Sequence, residues 1–209
     1  MTHHPLRIAV AVSGGGRTLQ NLISRSEGRG YHVAAVLASK PDCPAITLAE
    51  SAHIPVLSAS FPREMTPMAQ SDIERWLREQ DVELIALAGF LRPFPILQSY
   101  ADRIVNIHPS LLPAFGGQGM YGAKVHTAVW NARESYSGAT VHFVSEHYDE
   151  GQILAQIRVP IAGLENPEAI AQRVFSAECK LYPEVLHRLA TGKLPEGDKA
   201  FPIFEEDIP

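Results

Sequence analysis

Three side chains of this sequence have types and spacing suited to group transfer. Asn106-Ile107-His108-Pro109-Ser110 supplies an amide and an imidazole, and the turn Glu146-His147-Tyr148-Asp149-Glu150-Gly151 supplies a carboxylate. An Asn amide donates to a developing oxyanion, a His ring moves a proton near neutral pH, and a carboxylate beside that ring favours its charged form. Together they suit the transfer of a one-carbon acyl group. Positions two apart on an extended segment project to the same side, so Asn106 and His108 are expected to act together, with Pro109 stiffening the exit. Taken singly, His108 reads as a structural or exposed histidine and Asp149 as a turn residue capping its own backbone. The combination carries the weight.

A second candidate is Ser13-Gly14-Gly15-Gly16-Arg17-Thr18-Leu19, a glycine turn between an apolar run and a helical pattern. Free backbone N–H groups and the positive end of a helix dipole belong there, which suits a phosphate. Leu19 stands where a dinucleotide fingerprint has its third glycine, and no Gly-Lys-Ser/Thr follows as in a Walker loop. A monophosphate is the better fit, against the plain alternative of a packing turn. His126, His142 and His147 lack the paired spacing of zinc ligands, so no metal is expected. Arg63 in Phe61-Pro62-Arg63-Glu64 reads as an exposed loop arginine with the option of meeting an anionic substrate.

The elements that must position these residues alternate. Leu6 to Val12, Tyr31 to Ala38 and Val82 to Ala88 are apolar runs typical of buried parallel strands, with helical patterns between them at Ile46 to Ala52 and Met65 to Glu79. A fourth strand over Arg103 to Asn106 leads to His108, and the glycine-rich Gly116 to Lys124 is expected to be a loop. Ser137 to Ser145 and Gln152 to Pro160 read as an antiparallel pair with Asp149 in its turn, and Asn166 to Leu189 as a long helix with an Asn-Pro start. The fold class this implies is α/β: a Rossmann-like open, mostly parallel sheet with helices on both faces and an antiparallel C-terminal strand pair.

Composition bounds the function. At 45% hydrophobic residues the 209-residue chain can bury one core, and a formal net charge of −5 disfavours a nucleic-acid or acidic-membrane binder. Two cysteines, Cys43 and Cys179, are too few for a disulfide framework and are expected to be reduced. No apolar window reaches the length of a membrane span and no secretory leader is evident, so a cytoplasmic protein acting on small molecules is expected.

Several motifs in order resemble the phosphoribosylglycinamide formyltransferase family of folate-dependent enzymes. They are Ser13-Gly14-Gly15-Gly16, Leu87-Ala88-Gly89-Phe90-Leu91-Arg92, Asn106 through Pro113, Thr140-Val141-His142-Phe143-Val144, and Tyr148-Asp149-Glu150-Gly151 followed by Ile153 and Gln156. The resemblance implies a catalytic set of Asn106, His108 and Asp149. It assigns the ribonucleotide substrate to Gly15, Gly16, Arg17, Thr18, Arg63 and Glu178. It assigns the folate to Leu91, Arg92, Phe94, Asn106, Val144, Ser145, Glu146, His147, Tyr148 and Asp149. By this likeness residues 1–191 form one formyltransferase domain, with a phosphate-binding half to about 100 and a catalytic and folate-binding half over 101–191, and 192–209 form a surface tail. The family commonly has Ser-Asn where this chain has Arg17-Thr18, the loop Gly116 to Lys124 is longer and richer in glycine, and the segment after Arg92 is shorter.

The activity so implied is transfer of the formyl group of 10-formyltetrahydrofolate, a cosubstrate, to the amine of glycinamide ribonucleotide in purine synthesis, without a metal, by a monomer or homodimer. Asp149 is expected to keep His108 protonated. The rivals are a formyltetrahydrofolate deformylase, which has an additional N-terminal regulatory domain, a methionyl-tRNA formyltransferase, which has a C-terminal nucleic-acid-binding domain, and a noncatalytic folate-binding protein.

Overall fold

Near-continuous apolar sequence becomes strands covered on both faces, as the burial of every residue from Ile8 to Val12 and from Leu84 to Leu87 shows. The computed structural model describes residues 4–193 and 201–204. The chain divides into two compact units, 1–105 and 106–209.

The first unit alternates strand and helix: β1 (Leu6–Val12), α1 (Arg17–Ser24), β2 (Tyr31–Ala38), α2 (Ala45–Ser51), β3 (Val56–Ser58), α3 (Pro67–Glu79) and β4 (Leu84–Leu87). These strands lie in the order β3-β2-β1-β4, all parallel. Thr66 starts α3 by accepting the Ala69 N–H at 3.2 Å, with Pro67 at the first helical position where no N–H is needed. β3 is not expected from the sequence because three residues are too few to show a period.

β5 (Ile104–His108) crosses the division between the units. The second unit continues with α4 (Ala123–Asn131), β6 (Tyr136–Phe143), β7 (Ile153–Pro160) and α5 (Pro167–Ala190). β6 and β7 form the expected antiparallel pair, and α5 packs against both. Asn166 caps α5 by accepting the Ala169 N–H at 2.8 Å, as its sequence signal requires. The expected loop Gly116 to Lys124 ends sooner, because α4 begins at Ala123.

The surface tail expected over 192–209 needs correction. Phe201–Phe204 form β8, which pairs in parallel with β7 from Ala155 to Arg158. An uncovered β7 edge would present a row of unpaired N–H and C=O groups, and Pro202 is compatible with a strand that has a partner on one side only. Residues 194–200 and 205–209 of that expected tail lie outside the described residues. The fold class is as expected, α/β with mostly parallel strands and an antiparallel pair in the C-terminal half. No helix among the described residues is long and apolar enough to cross a membrane, and Cys43 and Cys179 form no disulfide.

Where β6 pairs with β7, Gly138 has no room for a side chain. A Cβ there would overlap the Ile157 carbonyl and sit 2.7 Å from Leu111 Cδ2. Gly138→Ala is expected to cost about 2 kcal/mol through overpacking, lowering the midpoint of thermal unfolding by roughly 4–8 °C. An unchanged midpoint in calorimetry would show that the β6/β7 pairing yields freely.

Candidate active site

The second unit brings an amide, two imidazoles and a carboxylate together. β5 carries Asn106 and His108 two positions apart, β6 carries His142, and Asp149 sits in the β6–β7 turn with φ 60°. His108 and His142 are buried, and the Asp149 side chain is 12% exposed.

Asp149 is the hub. Its Oδ2 lies 3.4 Å from His108 Nδ1 and accepts the Gly117 N–H at 2.9 Å, while its Oδ1 lies 3.5 Å from His142 Nε2. A Cβ at position 116 would displace the Leu112 side chain and come within 3.3 Å of Asp149 Cβ. Burial opposes ionisation of Asp149. The His142 ring, the His108 charge and the Gly117 N–H outweigh it and hold the carboxyl below its usual value.

His108 is flanked by acceptors on both ring nitrogens. Nε2–H donates to the Phe115 carbonyl at 2.9 Å, which leaves Nδ1 facing the carboxylate. Burial pulls the ring's pKa below the ordinary histidine value against the opposing effects of Asp149 and Phe115, and His142 adds to the lowering. This corrects the expectation that Asp149 keeps His108 protonated: desolvation outweighs the neighbouring charge and favours the neutral ring. The neutral ring is nevertheless built to gain a proton, because protonation at Nδ1 turns a lone pair facing a carboxylate into a hydrogen bond.

His142 is the member of the cluster that the sequence did not assign. Its Nε2 accepts from Asn106 Nδ2 at 3.1 Å and its Nδ1–H donates to the Phe143 carbonyl at 2.8 Å, which together define its tautomer. The amide's second N–H remains for a ligand. Alternation along β6 puts Thr140 and His142 on one face, and both lie in one of the motifs that carry the family resemblance. Thr140 supports the chain beyond His108. Its Oγ1 donates to the Ser110 carbonyl at 2.7 Å and accepts from the Leu112 N–H at 3.0 Å and Gln156 Nε2 at 2.9 Å. His126, on α4, is also buried, with Nδ1 unpartnered; burial first and the His108 charge second pull its pKa down.

The other expected site residues are placed as follows. In the first unit Gly15 is exposed, Gly16 precedes α1 with φ 79°, and Arg17 and Thr18 open that helix. Arg63 is exposed in the loop before α3, and Leu91 and Arg92 are exposed after β4. Phe94 stacks on Phe61 at 5.5 Å and meets Phe90 edge-on at 5.4 Å. In the second unit Val144 is half-buried, Ser145, Glu146, His147 and Tyr148 are exposed ahead of Asp149, and Glu178 is half-buried on α5. Among the described residues no group of three or more His, Cys, Asp or Glu is arranged to hold a metal ion.

Fold and cluster define a Rossmann-like α/β protein with a buried amide–imidazole–carboxylate set for acyl-group chemistry. A family model described as formyl transferase matches residues 6–186. The chain is 38% identical to a phosphoribosylglycinamide formyltransferase of Bacillus subtilis, over 93% of this chain and 99% of that protein. It is also 38% identical to a chloroplastic phosphoribosylglycinamide formyltransferase of Arabidopsis thaliana, over 98% of this chain and 73% of that protein. The crystal structure of phosphoribosylglycinamide formyltransferase from Anaplasma phagocytophilum superposes with a TM-score of 0.83 at 28% identity, covering 96% of this chain and 99% of that one. The chain belongs to the formyl transferase family.

The pKa shifts predict acid sensitivity. A depressed Asp149 contributes stability that is present above the unfolded carboxyl value of 3.8 and lost as pH falls through its lower folded value. A depressed His108 adds a penalty that appears as pH falls below 6.5 and is complete below its folded value. Thermal unfolding between pH 3 and 8 should show wild type losing ground to His108→Gln as the pH drops below 6.5, and to Asp149→Asn only below pH 4. Parallel curves for all three proteins would contradict both shifts.

Proposed function

We propose that the protein transfers the formyl group of 10-formyltetrahydrofolate to the amine of glycinamide ribonucleotide, in the cytoplasm, as a step of purine synthesis. The observation that carries this reading is the Asn106–His142–Asp149–His108 cluster within a chain of the formyl transferase family.

The neutral amine attacks the formyl carbon, and the carbonyl oxygen gains negative charge. The free Asn106 N–H is the donor for that oxyanion. His108, neutral in the ligand-free protein, takes up a proton at Nδ1 as the amine becomes cationic, and the Asp149 carboxylate stabilises the imidazolium. When the bond from the formyl carbon to the folate nitrogen breaks, that nitrogen receives the proton, relayed through an ordered water, and tetrahydrofolate leaves. The carboxylate thus stabilises a charge that forms during the reaction, the sense in which it assists catalysis.

In this reading the ribonucleotide phosphate is taken by Gly15, Gly16, Arg17 and Thr18, where α1 begins without a side-chain cap and the positive end of its dipole suits an anion. Arg63 and Glu178 contact the same substrate. Leu91, Arg92 and Phe94 bind the folate, with Asn106, Asp149 and the segment Val144, Ser145, Glu146, His147 and Tyr148.

Purified protein incubated with 10-formyltetrahydrofolate, with and without glycinamide ribonucleotide, and followed by mass spectrometry, is expected to give formylated ribonucleotide and tetrahydrofolate only when both substrates are present. Tetrahydrofolate released without the acceptor would instead indicate a hydrolase, and binding without turnover a noncatalytic folate protein. Removing one oxyanion donor in Asn106→Ala should lower kcat by about 10²–10³, or about 2.7–4 kcal/mol. His108→Ala should abolish most turnover while leaving folate binding measurable by calorimetry.

A further inference from the structure

In the first unit three strand ends converge on one hydroxyl. Ser13 follows β1, and its Oγ accepts both the Leu91 N–H at 2.9 Å and the Ser39 Oγ–H at 2.9 Å. Leu91 follows β4 and Ser39 follows β2, so the loops leaving three adjacent parallel strands meet at this atom. A hydroxyl oxygen has two lone pairs, and both are used. Ser13 also opens the glycine turn, whose next residue is tied down separately. The Gly14 carbonyl accepts the Ala45 N–H at 3.2 Å and Cys43 Sγ–H at 3.2 Å. Gly15 and Gly16 then continue into α1.

The stretch holding Leu91 is packed at Phe90, which meets Phe61 edge-on at 4.9 Å and Phe94 at 5.4 Å. Gly89 turns it with φ 68°, and the Leu91 side chain is 52% exposed. Its link to the glycine turn is the bond from the Leu91 N–H to Ser13.

We propose that Ser13 is a positioning residue that couples the two substrate sites, so that ordering of the glycine turn by the ribonucleotide phosphate orders the folate-binding stretch at Leu91 and tightens folate binding. The inference rests on the formyltransferase reading for the identity of the two ligands. Its physical basis is shared ordering: the ligand that stills Ser13 removes freedom that the second ligand would otherwise have to remove, and the coupling is reciprocal. Loss of one such hydrogen bond corresponds to roughly a three- to tenfold change in an equilibrium.

The test uses the full chain with tetrahydrofolate, which carries no formyl group and cannot turn over, and glycinamide ribonucleotide. Calorimetry should show tetrahydrofolate binding tightened roughly three- to tenfold by saturating ribonucleotide. That tightening should vanish in Ser13→Ala and return in Ser13→Thr, which keeps the hydroxyl. In the wild-type protein, ribonucleotide alone should slow hydrogen exchange of the Leu91 amide, a readout that needs no variant to fold. Tightening that persists in Ser13→Ala, or Leu91 exchange indifferent to ribonucleotide, overturns the proposal. Wild type binding both ligands independently also overturns it while leaving the transferase reading intact, whereas binding of neither ligand overturns both.

Discussion

A carboxylate placed in a mostly buried turn is the constraint around which the second unit is organised. Removing Asp149 from water disfavours its charge; the Gly117 N–H compensates directly, and the His108 imidazole does so once it carries a proton. Each compensation has a local cost. The turn holds Asp149 at positive φ, a side chain at position 116 would have to displace Leu112, and two histidines give up their hydration. Such costs concentrate where a charge has to be stabilised at one place.

The same glycine-rich stretch reaches both members of the acid–imidazole pair. The Phe115 carbonyl holds His108 Nε2–H while the Gly117 N–H holds Asp149. A proton on His108 is therefore linked to the conformation of residues 115–117, because the imidazolium and the neutral ring differ in what they offer these partners. Behind them, Thr140 and Gln156 satisfy the Leu112 backbone on both its N–H and its C=O. Asn106, His108 and Asp149 extend from a strand and a turn whose neighbours are hydrogen-bonded in place, which limits how far these side chains can reorganise.

The first unit uses parallel-strand architecture differently. Its chemistry-bearing residues lie in loops beyond the carboxyl ends of β1, β2 and β4, the usual ligand edge of an open α/β sheet. Backbone bonds from Ser39 to Val12 and from Ala88 to Ala11 carry the ladder to that edge, and Ser13 extends the connection where the ladder stops.

Residue type and order were enough to single out Asn106, His108 and Asp149, because few other roles require that trio, and to place β1, α3 and α5, whose apolar runs and Thr66 or Asn166 caps are local signals. β3 and β8 were not legible, since three and four residues become strands only when a neighbouring edge supplies hydrogen bonds. α4 was hidden behind the glycines that precede it. Alternation placed Thr140 and His142 on a common face of β6 without saying which face meets Asn106. The protonation of His108 was likewise beyond reach: adjacency to a carboxylate predicts a charged ring, whereas burial makes it neutral. Local order in the chain determines which groups are available and which backbone they favour; desolvation, and the partner found by each ring nitrogen, come from distant segments and exist only in the folded chain.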